Sequence, residues 1–308
     1  MKRLRIALVG IGKIARDQHV PALDASDAFE LVAAVSRHQK LERVPNYTNL
    51  EALLAAHPDL DAVSVCTPPQ VRFDVARQSL ERGLHVMLEK PPGATLNEVH
   101  ALRELAWRNG RTLFAAWHSR EAAGVEPARE LLLAREVRRV TITWKEDVRY
   151  WHPGQTWIWQ PGGLGVFDPA INALSILTRI LPNRVILKRA VLSFPENCDA
   201  PIAGELELAD EKGVPVTMSL DFLQEGPPAW DIAIDTDRGP LRLSKGGAVL
   251  EVGDEPPQEA PDREYPRLYG RFAALVAENG IDVDVEPFRL VADAFLCARR
   301  VTVAPFVE

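Results

Sequence analysis

Ala7-Leu8-Val9-Gly10-Ile11-Gly12-Lys13-Ile14-Ala15-Arg16 decides the fold, because an apolar run from Leu4 to Val9 ends abruptly in a glycine turn and a helix-forming stretch follows. Strand, tight turn and helix in that order open a dinucleotide-binding unit. Gly10 makes the turn, Gly12 lets the backbone approach a pyrophosphate, and Ala15 is small enough for the helix to sit close against the sheet. Lys13 and Ile14 begin that helix, whose unpaired N–H groups and aligned peptide dipoles favour an anion. Gly10, Gly12, Lys13 and Ile14 are expected to contact the cofactor.

The acidic member of this fingerprint is due about twenty residues further on, at the end of the second strand. That strand is Phe29-Glu30-Leu31-Val32-Ala33-Ala34-Val35, and Ser36-Arg37-His38 follows it. No carboxylate is there to receive the ribose hydroxyls of NAD. Ser36 can donate to a hydroxyl or a phosphate, and Arg37 carries a planar fork suited to a 2′-phosphate. NADP therefore stands as at least an equal candidate beside NAD.

Working outward, the pattern alternates between helices and apolar strands. A helix at 49–55 is followed by the strand Asp61–Cys66, which ends in Thr67-Pro68-Pro69. Paired prolines stop regular structure where βα loops build the ligand edge of an open parallel sheet, so Thr67 and Pro68 join the cofactor contacts. A helix at 71–82, capped by Gly83, leads to the strand His85–Leu88 and then to Glu89-Lys90-Pro91-Pro92-Gly93. Lys90 at this edge can orient a substrate hydroxyl, stabilise alkoxide charge or move a proton. Glu89 and Lys90 are also placed beside the cofactor. A helix at 96–107 and a strand at 112–116 complete the unit and bring His118 to the ligand edge. The expected first domain is 1–120, a Rossmann α/β unit with a parallel sheet.

From Val137 the period changes to two, with Val140, Ile142, Trp144, Glu146, Val148 and Tyr150 on one strand parity. Alternation near 205–208, 214–223 and 231–234 predicts a large, mostly antiparallel sheet, so residues 121–308 form an α+β substrate-binding and oligomerisation domain. One face of that sheet offers a route to a homodimer. Helices at 265–278 and 287–300 follow, the last packing back on the main body.

Tyr150-Trp151-His152-Pro153-Gly154-Gln155-Thr156-Trp157-Ile158-Trp159 concentrates rings and hydrogen-bonding groups. Aromatic faces cover sugar C–H faces, while His152, Glu146 and other polar groups satisfy hydroxyls, and Trp230 is a candidate for the same wall. Past Gly162-Gly163, Asp168 precedes Pro169 as a helix cap, and Asn172 lies one turn on. Capping does not account for a polar Asn172 among Ile171, Ala173 and Leu174. Asp168 and Asn172 can instead bracket a reacting hydroxyl.

Composition narrows the classes. A chain of 308 residues with 46% hydrophobic residues supports sizeable cores, and a net charge of −7 argues against a nucleic-acid binder that relies on bulk positive charge. No secretory leader or long apolar run is evident, so no membrane association is expected. The scattered Cys66, Cys198 and Cys297 form neither a metal spacing nor a disulfide framework, which points to a cytoplasmic, metal-free protein.

Gly10/Gly12/Ala15, Glu89-Lys90-Pro91, Gly162-Gly163 and Asp168 with Asn172 together resemble the glucose–fructose oxidoreductase, inositol dehydrogenase and rhizopine-catabolism family, over essentially the whole chain. The resemblance implies that Lys90 acts near the nicotinamide and Asp168 lies across the sugar, with Lys90, Asp168 and Asn172 as the catalytic set. With the residues read above, the expected substrate contacts are Lys90, His118, Glu146, Trp151, His152, Asp168, Asn172 and Trp230. Many members carry histidine where this chain has Asn172; asparagine is no general base at neutral pH, so proton transfer falls to Asp168 or Lys90. The implied activity is NAD(P)-dependent oxidation of an aldose at C1 to the aldonolactone, most like L-arabinose and also D-galactose. The alternatives are an inositol or cyclitol dehydrogenase and, outside enzymes, a dinucleotide-sensing interaction protein.

Overall fold

The computed structural model describes residues 3–308. The chain runs through β1 (Leu4–Val9), a π-helical turn (Ala15–His19), α1 (Val20–Asp24), β2 (Phe29–Val35), β3 (Asn46–Tyr47), α2 (Leu50–Ala56) and β4 (Ala62–Val65). Next come α3 (Pro69–Glu81), β5 (His85–Glu89), α4 (Leu96–Arg108), β6 (Leu113–Ala116), α5 (Val125–Leu133), β7 (Val137–Lys145), α6 (Val148–Trp151) and α7 (Phe167–Ile180). The strands β8 (Val185–Pro195), β9 (Ala203–Asp210), β10 (Pro215–Asp221), β11 (Ala229–Thr236), β12 (Leu241–Ser244), β13 (Val249–Val252) and β14 (Gln258–Glu259) follow. The chain closes with α8 (Glu264–Glu278), β15 (Ile281–Asp282), α9 (Glu286–Cys297) and β16 (Arg299–Val303). It divides into two compact units, one running to Trp117 and resuming at Tyr265–Val285, the other comprising His118–Glu264 and Glu286–Glu308.

The first unit holds a seven-stranded sheet in the order β15-β6-β5-β4-β1-β2-β3, with every pairing parallel. β4, β5 and β6 are buried along their whole lengths, as expected of strands covered on both faces. Strand order reverses between β1 and β4. The loops leaving those two strands therefore open a crevice at the carboxyl edge, the place where doubly wound sheets take ligands.

α8 belongs to this first unit. Its Tyr265, Leu268, Tyr269 and Phe272 share a core with Ile6, Leu8, Phe29 and Phe114, and the Phe272 ring stacks on Phe29 at 5.4 Å. β15 then adds a parallel edge strand beside β6. A boundary at residue 120 with everything later in the second domain therefore does not describe the packing: a late amphipathic helix buries its apolar face under the amino-terminal sheet.

The second unit is built on a nine-stranded sheet ordered β14-β13-β12-β11-β7-β10-β9-β8-β16, in which six pairings are antiparallel and two are parallel. Val140, Ile142 and Trp144 point from β7 into the core, where α7 packs. β7 stops at Lys145, while the alternation of burial runs on to Val148, short of the expected Tyr150. Asp147 accepts a hydrogen bond from the Arg149 backbone N–H at 2.9 Å and winds residues 148–151 into α6. α9 packs on α7 and β8, but it ends at Cys297, and residues expected to continue it form β16 beside β8. No helix among the described residues is long and apolar enough to cross a membrane.

Candidate active site

Gly10 leaves β1 with φ +95°, and a Cβ there would lie 2.7 Å from the Thr67 backbone nitrogen and 2.8 Å from the Cys66 carbonyl carbon. Both the backbone angle and the close approach of the β4 exit require glycine. Gly12 differs, since a Cβ there would meet nothing within 4 Å. Nothing in the chain itself explains that glycine, whereas a pyrophosphate lying over it does. Thr67 contributes a buried Oγ1 with no hydrogen-bond partner, a group that a ligand at this edge would satisfy. These observations fit a dinucleotide. Pro68 precedes α3, Ile14 precedes the π-helical turn, and the Lys13 ammonium pairs with Asp17. At the β2 exit the Ser36 hydroxyl accepts from the Gln39 N–H at 3.2 Å, shaping a loop on which Arg37 is exposed.

Lys90 follows β5 on a loop held from below. The Glu89 carboxylate is 3% exposed; it accepts from the Tyr265 hydroxyl at 2.8 Å and the Lys90 backbone N–H at 3.0 Å, and lies 2.9 Å from His19 Nε2. These contacts engage the Glu89 side chain with the interior and support the backbone at Lys90. Burial opposes charge on His19, yet Cys66, Tyr269 and the Glu89 hydrogen bond outweigh it and hold the imidazole proton more tightly than usual. Buried Arg72 donates to the Glu89 carbonyl at 2.5 Å and also to the carbonyls of Pro91 and Thr67. One guanidinium thus ties the β4 and β5 exits together. The Lys90–Pro91 peptide is cis.

In the second unit the end of β7, α6, α7 and β11 bring five predicted residues together. Glu146 is 3% exposed, accepts from Trp230 Nε1–H at 2.8 Å through one carboxylate oxygen, and lies 3.0 Å from His152 Nε2 through the other. His152 Nδ1 is 3.6 Å from Asp168 Oδ2. Trp151 meets Trp230 edge to face at 4.9 Å, so two indoles flank this polar chain. Asp168 is not the helix cap expected: α7 already begins at Phe167, with Val166 at the N-cap, which places the buried Asp168 in the first turn. Asn172 follows one turn later on α7.

Two other residues of the sequence reading have partners of their own. His118 begins a 3-10 turn and its Nδ1 lies 2.6 Å from Glu264. Trp159 packs against Phe222 and Phe306, which makes it a packing residue and not part of the Trp151–Trp230 wall. Arg72 and His19 escaped the sequence reading. For Arg72 a signal existed, because Pro69, Arg72, Ala76 and Leu80 fall on one helical stripe and all are buried. An arginine on a core stripe must satisfy its donors internally.

Residues 4–117 match the oxidoreductase family with an NAD-binding Rossmann fold. Over its whole length the chain is 42% identical to galactose 1-dehydrogenase from Pseudomonas fluorescens, across 320 aligned positions that cover all of both proteins. The crystal structure of D-galactose-1-dehydrogenase from Rhizobium etli matches with a TM-score of 0.95 and 51% identity, covering 100% of this chain and 99% of that one. A 3-ketoreductase from Actinomadura kijaniata, solved with NADP, shares the fold at a TM-score of 0.82 and 19% identity, covering 98% of this chain and 100% of its own. Similarity along the entire chain, together with the Gly10–Gly12 turn and the Glu89-Lys90-Pro91 loop, places this protein in the glucose–fructose oxidoreductase, inositol dehydrogenase and rhizopine-catabolism family of NAD-binding oxidoreductases.

Proposed function

We propose that the protein oxidises a cyclic aldose at C1 with NAD or NADP, giving the aldonolactone, and that D-galactose and L-arabinose are its substrates. The observation that carries this reading is the chain Trp230–Glu146–His152–Asp168 beside a second indole, Trp151. Indole faces suit sugar C–H surfaces, and the acid–imidazole–acid series offers hydroxyl partners together with a base. Support also comes from the two relatives similar over their whole lengths, both named for galactose. The two sugars share the corresponding ring hydroxyl arrangement, and D-galactose chiefly adds a hydroxymethyl group. A ring secondary alcohol, as in a cyclitol, would instead give a ketone, so product identification separates the readings.

The bound nicotinamide supplies the hydride acceptor. As the C1–H bond breaks with its electron pair, Asp168 takes the O1 proton and the C1=O double bond forms. Lys90 aligns the hydroxyl and stabilises its developing negative charge, and Asn172 hydrogen-bonds it without exchanging a proton. Self-association through the outward face of the nine-stranded sheet, where Thr141, Glu207, Thr217 and Asp235 are exposed, is part of the proposal; a single-subunit sedimentation mass would remove it.

Cofactor choice is assigned to the β2 exit. With Ser36-Arg37 in place of a carboxylate, nothing there repels a 2′-phosphate, and the exposed Arg37 fork is suited to bind one. Arg37→Ala is expected to lower NADP-dependent kcat/KM by about 1–3 kcal/mol while leaving NAD-dependent kcat/KM nearly unchanged. Equal losses with both cofactors, or no loss with either, would contradict the assignment.

A further inference from the structure

A base that takes a sugar proton works better if it can pass that proton on. The Asp168 side chain is only 5% exposed, whereas the neighbouring His152 side chain is 18% exposed and so reaches solvent. The direction of proton donation at His152 is fixed from the far end of the chain. An indole N–H can only donate, so Glu146 Oε2 accepts from Trp230, and the acceptor-only carboxylate then requires the proton of the neutral imidazole on His152 Nε2. That leaves the Nδ1 lone pair facing Asp168 Oδ2 at 3.6 Å.

We propose that His152 is the proton relay of this reaction: the proton that Asp168 takes from O1 passes from Asp168 Oδ2 to His152 Nδ1, and the resulting imidazolium gives up that Nδ1 proton to water, which restores the Nε2–H form. The inference rests on the aldose 1-oxidation reading. An O–H bond at Asp168 breaks as an N–H bond forms at His152, Asp168 returns to its carboxylate, and no electrons move in the relay. Glu146 and Asp168 flank the cation that forms. Beside the imidazole, Phe222 presents its ring at 5.5 Å, and on α6 the Arg149 guanidinium is paired with Asp147 at 2.7 Å.

The test uses the full-length enzyme at saturating D-galactose and NADP, following steady-state hydride transfer, because the relay reloads Asp168 between turnovers. His152→Ala is expected to slow transfer by about 10²-fold, with added imidazole recovering roughly tenfold and the similarly shaped but weakly basic pyrazole recovering none. Glu146→Gln supplies a second, near-isosteric variant. The donor-only Trp230 draws the amide oxygen, so the amide NH₂ faces His152 Nε2 and forces the imidazole proton onto Nδ1, where it blocks transfer from Asp168. Glu146→Gln should therefore lose a similar factor, and the double variant should lose no more than either single one. Independently of turnover, ¹⁵N NMR of labelled histidine should report the Nε2–H form in the wild type and the Nδ1–H form in Glu146→Gln. Equal rescue by pyrazole, additive losses or an unchanged tautomer would each overturn the relay while sugar oxidation by the wild type still stands. A wild type that does not oxidise aldoses would instead remove the parent reading, leaving the tautomer result to decide the proton arrangement.

Discussion

Asp168→Asn is expected to slow single-turnover hydride transfer by about 10²–10⁴-fold, the range associated with loss of a general acid–base group. The amide keeps the shape of the side chain in the first turn of α7 but cannot take a proton, and its position inside the helix means that no N-cap is lost with the carboxylate. Lys90→Ala should give a loss in the same range, because it removes the ammonium that stabilises developing alkoxide charge. The support beneath that residue, Glu89 with His19, Tyr265 and Arg72, is left intact. Dinucleotide affinity, measured separately by fluorescence of bound NADPH, should change much less than the rate in both variants. Near-wild-type transfer in Asp168→Asn alone would move the base to Lys90. Near-wild-type transfer in both would overturn the catalytic assignment.

Gly10→Ala and Gly12→Ala should fail in different ways, and the contrast tests the cofactor edge. At Gly10 a methyl group would press on backbone atoms 2.7 Å and 2.8 Å away while holding φ at +95°. Strain of this kind costs on the order of 1–3 kcal/mol before the steric overlap is counted, so both stability and dinucleotide binding should fall sharply. At Gly12 nothing lies within 4 Å of the added carbon. Gly12→Ala should keep its urea midpoint close to wild type and lose nucleotide affinity, since the methyl enters the space assigned to the pyrophosphate. Loss of stability without loss of affinity in Gly12→Ala would mean that this glycine serves the fold alone.

The nucleotide unit was legible because its signals are local. Gly10 answers to one backbone angle, and the apolar runs of β4 and β5 reflect burial on both faces. The doubly wound order of the first unit and the mostly antiparallel sheet of the second follow from those periods. What local patterns could not carry is partnership at a distance. Tyr265 and Tyr269 read as the apolar face of a helix, but nothing in their spacing says that this face lies under residues 3–117 or that their hydroxyls meet Glu89 and His19. Val148 and Tyr150 extend the strand parity of β7, and only the Asp147 cap turns that segment into a helix. Arg299 and Arg300 read as the end of an apolar helix, yet β8 offers an open edge and captures them in a strand.

The substrate side shows the same division. Glu146, Trp151, His152 and Trp230 were each readable as polar or aromatic groups suited to a sugar, and Asp168 and Asn172 as groups set for a hydroxyl. Their union was not readable, because the Glu146–His152 contact depends on a helical turn that the alternating pattern conceals. Once that turn forms, an imidazole stands between two carboxylates, and the absence of histidine at position 172 no longer leaves the site without one.

The most direct test of aldose oxidation at C1 is NMR identification of the first product formed from D-galactose and from L-arabinose with NAD or NADP, with myo-inositol run in parallel. The account predicts one reduced nicotinamide per aldonolactone from both aldoses, with myo-inositol the poorest substrate. A ketone from myo-inositol with little turnover of either aldose would contradict it.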